Sequence, residues 1–316
     1  MTSTSRPDRT PLIVGIDIGG TKTHLKITQG EHAREEIYSS PSWRKRHISE
    51  DAESLLKMVD QLAEGSVVDA IGIGAHGCDD ALECLAFQQE LSARTKTPVE
   101  VVNDAELMPL ALGFKNQIGV VAGTGSIAVC REASGEMLVA GGWGWAIGDE
   151  GSAAGLVREA AKAIALHLDL GGSMDEPLCQ GLFKAMDIPG VPRIGSTLTN
   201  LGTAAAIGSH ARTVFDAAQA GSELAQQVIK EGGMALADLV QRLVARGAVG
   251  RHVVAGGSVI ASQPLLWTAF EKATQNLAGP ALTPHLFKGK PVEGACVLAQ
   301  FLIEEPTATA ARVQTN

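Results

Sequence analysis

Val14-Gly15-Ile16-Asp17-Ile18-Gly19-Gly20-Thr21-Lys22-Thr23 is the stretch whose reading decides the fold. An apolar run carries one aspartate into paired glycines, and hydroxyls and a lysine follow. The next residues, His24-Leu25-Lys26-Ile27-Thr28, alternate apolar and polar as a half-buried strand does. The expected local structure is strand, tight turn, strand. Glycine permits such a turn without steric cost and lets backbone amides approach an anion. Thr21, Lys22 and Thr23 add donors at the same place. An aspartate ending a buried strand beside a phosphate-sized nest points to a metal-nucleotide site. An ordinary Gly-Gly hairpin turn accounts for the same residues without a ligand. Two familiar phosphate motifs are excluded. Thr21 separates Gly20 from Lys22, which breaks the Walker pattern, and G-x-G-x-x-G is absent here.

Outward from this stretch, strands are expected at 12–18, 23–28 and 33–38. A helix follows, with Ser49 as its cap and a Leu55, Leu56, Val59, Leu62 stripe that Gly65 ends. Val67 to Gly74 reads as a short buried strand, 80–93 as a helix, and Val99 to Val102 as another strand leading into Asn103-Asp104. The theme then restarts: a strand at Gln117 to Val121, a Gly123-Thr124-Gly125-Ser126 turn, and a strand at Ile127 to Cys130. This weak internal repeat places a domain boundary near 113–117. Later residues read as helices at 152–168, 175–186, 205–219 and 222–246, then a strand at Val253-Val254-Ala255 and a helix at 259–276. The expected organisation is a tail at 1–11, an α/β domain at 12–115 rejoined by a last helix at 292–304, a second domain at 116–291, and a tail at 306–316.

Composition bounds the function. The 316 residues suffice for two domains, and 45% hydrophobic residues allow large cores. A net charge of -9 argues against nucleic acid or an anionic membrane as partner. Five cysteines, odd in number and without C-x-x-C, fit a reduced, cytoplasmic setting. No apolar run reaches the roughly 20 residues needed to span a bilayer, and Met1 to Pro11 lacks the apolar centre of a signal peptide.

Glycine-bearing turns recur at 19–20, 123–125, 141–151 and 256–257, each beside hydroxyl or acidic residues. Ligands of open α/β sheets gather beyond the carboxyl ends of strands. Asp104 follows one such strand, where two uses fit it: cap of the helix starting near Ala105, or base taking a proton from a hydroxyl that attacks a phosphoryl group. Gly141 to Ser152, with Trp143, Trp145, Asp149 and Glu150, has a glycine density that implies close backbone approach to something. Its two acids suit a helix start, sugar hydroxyls or an ammonium. After the strand at 67–74, Asp79 or Asp80 caps the next helix, and the other is a candidate substrate contact. His76 reads as a loop residue. No His/Cys set has zinc-ligand spacing.

In order, G-I-D-I-G-G-T-K-T, V-V-N-D-A, A-G-T-G-S, G-G-W-G-W-A-I-G-D-E-G-S and A-G-G-S-V resemble the BadF/BadG/BcrA/BcrD ATPase family, within the sugar kinase, actin and heat-shock chaperone superfamily. The likeness runs from about 14 to 300 and is strongest to glucosamine and N-acetylglucosamine kinases. It implies two ribonuclease-H-like (actin-like ATPase) domains with an interdomain cleft for ATP and sugar. By the resemblance, Asp17 orients Mg²⁺ through water. Gly19, Gly20, Thr21 and Lys22 line the phosphates, Thr124 and Gly125 form a second phosphate loop, and Gly256, Gly257 and Ser258 lie against the adenosine. Asp104 matches the catalytic base, and Asp149 with Gly142 and Trp143 matches the sugar loop. A homodimer is a family-level expectation.

The resemblance departs at Ser40-Pro41-Ser42-Trp43-Arg44-Lys45-Arg46. Animal-type N-acetylglucosamine kinases carry Asn-His-Trp after the second hairpin, the Asn contacting sugar. Here the Asn-His pair is missing, while Asp79, Asp80, Asp149 and Glu150 crowd the expected sugar site. Carboxylates favour a cationic amine over a neutral acetamide. The expected activity is therefore transfer of the γ-phosphate of Mg-ATP to the 6-hydroxyl of glucosamine, with N-acetylglucosamine as the alternative. A further alternative is an ATPase activator of a radical dehydratase, which would need cysteines for an iron–sulfur cluster. A sugar sensor with an appended helix-turn-helix finds no room before the first strand.

Overall fold

The computed structural model describes residues 9–279 and 281–304. Most of the expected tails lie outside these residues; within them, Arg9 forms a 2.8 Å salt bridge with Asp69. The chain divides into two compact units, one running through Lys115 and resuming at Gly289, the other Asn116–Lys288.

The first unit begins with β1 (Leu12–Ile18), β2 (Lys22–Gln29) and β3 (His32–Ser39), an antiparallel meander. Short α1 (Ser40–Trp43) and α2 (Ile48–Ala63) follow, then β4 (Ala70–Ala75), α3 (Ala81–Ser92), β5 (Val99–Val102) and α4 (Leu107–Ala111). The sheet order is β3-β2-β1-β4-β5, with β4 parallel to β1 and β5 parallel to β4. Every residue of β1 is buried, as a strand covered on both faces requires.

Two sequence expectations shift here. α2 starts at Ile48, after extended His47, and Ser49 is not its cap. Asp51, buried in the first turn, reaches back to accept a bond from the Lys45 amide at 2.6 Å, which ties down the chain entering the helix. The strand expected from Val67 begins only at Ala70. Val67 is exposed, and Asp69 is turned to bind Arg9 and the Leu12 amide.

The second unit repeats the plan. β6 (Ile118–Ala122), β7 (Ser126–Arg131) and β8 (Met137–Gly141) form an antiparallel meander. A helical block follows: α5 (Ala153–Asp169), α6 (Pro177–Ala185), α7 (Ile194–Asn200), α8 (Ala204–Gly208), α9 (Ala211–Gln219) and α10 (Glu223–Ala245). Then come β9 (His252–Gly256), α11 (Pro264–Gln275) and β10 (Thr283–Leu286). The order β10-β9-β6-β7-β8, with β6, β9 and β10 parallel, matches the first sheet strand for strand. The helix expected at 205–219 is broken into α8 and α9. The one expected at 259–276 begins at Pro264, because the Val259 and Ile260 amides both turn back to the Ala122 carbonyl. α7 and β10 were not anticipated.

The last helix, α12 (Val292–Glu304), belongs to the first unit and packs on β1 and β4. It buries Val292, Ala295, Cys296, Leu298, Ala299 and Leu302. Each buried leucine is worth about 1.5–3 kcal/mol. The close approach is possible because Gly15 and Gly72 are register partners on adjacent strands and present no side chain. A Cβ on Gly15 would lie 2.6 Å from the Cys296 amide nitrogen, and one on Gly72 would strike the Ala295 carbonyl. Among the described residues, no helix is long and apolar enough to cross a membrane.

Gly72→Ala should therefore lower stability by on the order of 1–3 kcal/mol, since backbone rather than a movable side-chain end must give way. Gly195→Ala, in α7 with nothing within 4 Å of the added methyl, should be neutral or stabilising. Urea denaturation of both variants checks the contrast.

Candidate active site

Parallel pairing of β1, β4 and β5 brings their carboxyl ends together in the first unit. Asp17 pairs in register with Gly74, and Gly74 with Val102. The residues just past these ends are therefore neighbours: the turn at 19–21, the segment His76–Asp79, and Asn103-Asp104.

The turn after β1 is fixed from below. The Gly19 amide donates to the Lys22 carbonyl at 2.9 Å. The Ser40 hydroxyl donates to the Gly19 carbonyl at 2.8 Å, and the Ser40 amide to the Thr21 carbonyl at 3.0 Å. Ser40 also bonds the buried Thr23 hydroxyl, which accepts from the Trp43 indole. Gly20, Thr21 and Lys22 are left exposed above this anchor. Sequence reading missed Ser40 and Trp43 as supports, because their partners lie about twenty residues upstream.

Past β4, Asp80 caps α3 by accepting from the Glu83 amide at 2.8 Å. That settles which of the two acids is the cap. Asp79 accepts from the Asn103 side-chain amide at 3.2 Å. Past β5, the cap is Asn103: its side chain accepts from the Ala105 amide at 2.9 Å and forms a capping box with Glu106. Asp104 is thereby released from capping. Its carboxylate lies 4.0 Å from His76 Nδ1 and its side chain is 17% exposed. His76, read from sequence as a loop residue, thus faces the candidate base.

The electrostatics are those of crowded anions. Burial, reinforced by the negative charge of Asp104 and opposed by Lys22, pushes the Asp17 carboxyl up to about 7. Burial likewise holds Asp104 above the usual carboxylate range; His76 draws it down, and Asp79 pushes it up. Desolvated carboxylates that repel one another fit a divalent cation. Among the described residues, no group of three or more potential ligands could hold a metal alone. Asp17 and Asp104 are the carboxylates here that could hold such a cation together with phosphates of a ligand.

In the second unit, the turns after β6 and β9 lie side by side, since Val121 pairs with Gly256. A Cβ on Gly123 would meet the Ser258 hydroxyl at 3.6 Å. Gly257 has φ +110, and a Cβ there would lie 2.6 Å from the Ala122 carbonyl, so glycine is required. Thr124 and Gly125 share the first turn, and Gly256, Gly257 and Ser258 the second.

Asp149 is not at a helix start. α5 begins at Ala153 with Ser152 as its cap, and no acid lies in its first turn. Asp149 is buried with φ +58 and accepts from the Ser126 amide at 3.2 Å. Its carboxylate sits against Gly125, where a Cβ would come within 2.9 Å. The Glu150 carbonyl accepts from the Ser126 hydroxyl at 2.8 Å. The loop holding Gly142 and Trp143 is therefore joined to the turn holding Thr124 and Gly125 through Ser126. Trp143 is 73% exposed.

Two sheets of one topology, each with glycine turns beyond its parallel strand ends, define an actin-like ATPase fold of the kind used by sugar kinases. The chain belongs to the BadF/BadG/BcrA/BcrD ATPase family, which it matches over residues 14–299. It is 33% identical over 170 residues to an N-acetylmuramic acid/N-acetylglucosamine kinase from Clostridium acetobutylicum. That match covers 51% of this chain and 55% of the relative, so the chain spans about half the relative's length. A candidate N-acetylglucosamine kinase from Chromobacterium violaceum superposes with TM-score 0.61 at 21% identity, covering 92% of this chain and 99% of that one. A ROK family glucokinase from Streptomyces griseus, solved with glucose and AMPPNP, superposes with TM-score 0.56 at 18% identity, covering 92% and 98% respectively. These likenesses establish the fold.

The raised Asp17 carboxyl has a stability consequence. The folded state binds this proton more tightly than the unfolded chain, so the contribution of Asp17 to stability is greatest below the ordinary value of 3.8 and is lost as pH rises towards about 7. Asp17→Asn removes that loss. In metal- and nucleotide-free buffer the variant should gain stability relative to wild type between pH 5 and pH 8, by a few kcal/mol at most. Thermal melts across that range test it.

Proposed function

We propose that this chain is an ATP- and Mg²⁺-dependent hexosamine kinase that phosphorylates a sugar hydroxyl, with N-acetylated hexosamines as its preferred substrates. The observation that carries the reading is the division of labour between Asn103 and Asp104. Asn103 supplies the side-chain cap of the helix, which leaves the desolvated Asp104 carboxylate facing His76 at the end of a parallel strand. Such a carboxylate suits a general base working near neutral pH.

In this reading the Asp104 carboxylate accepts the proton of the sugar 6-hydroxyl as that oxygen attacks the γ-phosphorus of ATP. His76 offsets the repulsion from Asp79 and keeps Asp104 ionisable. Asp17 would hold the Mg²⁺, which would supply neutralisation of phosphate charge. The exposed amides of Gly20 and Thr21 and the Lys22 ammonium meet phosphate oxygens, with Gly19 shaping their turn. Thr124 and Gly125 form the second phosphate loop, and Gly256, Gly257 and Ser258 support the nucleoside. Gly142, Trp143 and Asp149 serve the sugar.

The substrate preference follows from where the carboxylates are committed. Of the four acids that favoured a free amine, Asp80 caps α3, Asp149 binds the Ser126 amide, and Glu150 lies 4.0 Å from the Arg158 guanidinium. These three are held by the protein's own donors and are not turned to a cationic C2 substituent, so an N-acetylated hexosamine is the better fit. The name of the Clostridium acetobutylicum relative agrees with this preference. Glucosamine is the second reading, favoured by Asp79 beside Asp104. The dehydratase-activator reading is disfavoured because all five cysteines are buried.

Asp104→Asn should lower phosphoryl transfer by about 10²-fold or more while leaving nucleotide affinity largely intact. A coupled ADP-release assay with N-acetylglucosamine, N-acetylmuramic acid, glucosamine, glucose and no sugar tests both parts; sugar-independent ADP release would overturn the kinase reading. In wild type, kcat/KM should fall on the acid side at a pH above that of an ordinary aspartate, because only the ionised base accepts the proton and burial raises its pKa.

A further inference from the structure

The segment between β8 and α5 is glycine-rich and contorted, yet it is held from outside. Gly141, Gly142 and Gly144 have φ of +84, +75 and +82. Residues 144–148 close a tight turn, the Gly148 amide donating to the Gly144 carbonyl at 2.8 Å. Into this turn reaches Arg158, from the second turn of α5. One nitrogen, Nη1, donates to the carbonyls of Trp145 and of Gly148, the latter at 2.6 Å. Nε donates to Glu159 at 2.8 Å, and Nη2 lies 4.0 Å from the Glu150 carboxylate. The guanidinium side chain is only 13% exposed. Glu159 is held in turn by Lys162 at 2.6 Å, so the arginine is braced from the helix side.

We propose that Arg158 is the positioning residue of the sugar loop: it fixes the turn at 145–148 and thereby sets where Gly142 and Trp143 on one flank, and Asp149 and Glu150 on the other, meet the sugar. The inference rests on the reading of this segment as the sugar loop. Partly buried carbonyls that face one cation lose their partner when it is removed, and a glycine-rich backbone has many other conformations to visit. A planar guanidinium can serve two carbonyls and a carboxylate at once from a fixed plane. A lysine ammonium is a point charge on a flexible stem and reproduces only part of that. Arg158 therefore acts on sugar affinity, through the loop, and not on the reacting atoms.

The test uses the full chain with Arg158→Gln and Arg158→Lys. Hydrogen exchange of the 141–150 amides is followed without substrate, and steady-state kinetics are run with N-acetylglucosamine and ATP varied separately. The proposal expects faster exchange confined to that segment in the Gln variant. It also expects a sugar KM raised about tenfold, the size of one lost charge-assisted hydrogen bond, with kcat and the KM for ATP within about threefold of wild type. The Lys variant should fall between the two. Unchanged exchange at 141–150, or a fall in kcat at unchanged sugar KM, would overturn it. If the Gln variant fails to fold, the Lys variant decides by the same two readouts. Wild type that turns over no hexosamine refutes the proposed function instead, and the exchange experiment still shows whether Arg158 holds the loop.

Discussion

Burial of two carboxylates, Asp17 and Asp104, at neighbouring strand ends is the constraint around which the first unit is arranged. Parallel pairing of β1, β4 and β5 places both at strand ends and in each other's field. A fold selected for stability alone would avoid this. Three polar arrangements nearby take up the structural work around them. Asn103 takes the helix cap, Asp80 takes the neighbouring cap, and Ser40 secures the turn so that Lys22 stays exposed beside Asp17. The second unit uses the same sheet without the carboxylate pair. Its turn after β9 is set by backbone contact, Gly257 lying on Ala122, and its turn after β6 by the Asp149 carboxylate on the Ser126 amide.

Much of this was legible in the sequence, for physical reasons. Glycine turns after apolar runs mark strand ends whatever the tertiary context, so the turns at 19–20, 123–125 and 256–257 are legible in the sequence. The restart of the pattern at 117 gave the repeated plan. The N-terminal aspartate and Asn103-Asp104 stood out because acids are rare at the ends of buried strands.

What was not legible depended on partners far along the chain. The choice between Asn103 and Asp104 as cap turns on side-chain geometry, which two adjacent capping residues cannot reveal. Helix starts moved where a buried side chain captured a distant amide, as Asp51 does for Lys45. Helix 259–276 was overextended because Val259 and Ile260 look helical, but the Ala122 carbonyl claims their amides. The acids of the glycine loop looked like free ligands. Only the fold shows Asp149 tied to Ser126 and Glu150 beside Arg158.

The placement of α12 has a consequence for how the molecule is made. Its covering face meets β1 and β4 over the paired glycines Gly15 and Gly72, yet it is synthesised after the whole second unit. Domains emerging from a ribosome ordinarily fold in N-terminal-first order. Here the second unit is contiguous and can close as soon as Lys288 is out. The first unit must wait with an uncovered apolar groove until Val292 to Glu304 arrives. The unit that begins the chain is the last to be completed, and its open groove is the place where a chaperone or a premature aggregate would engage the nascent protein.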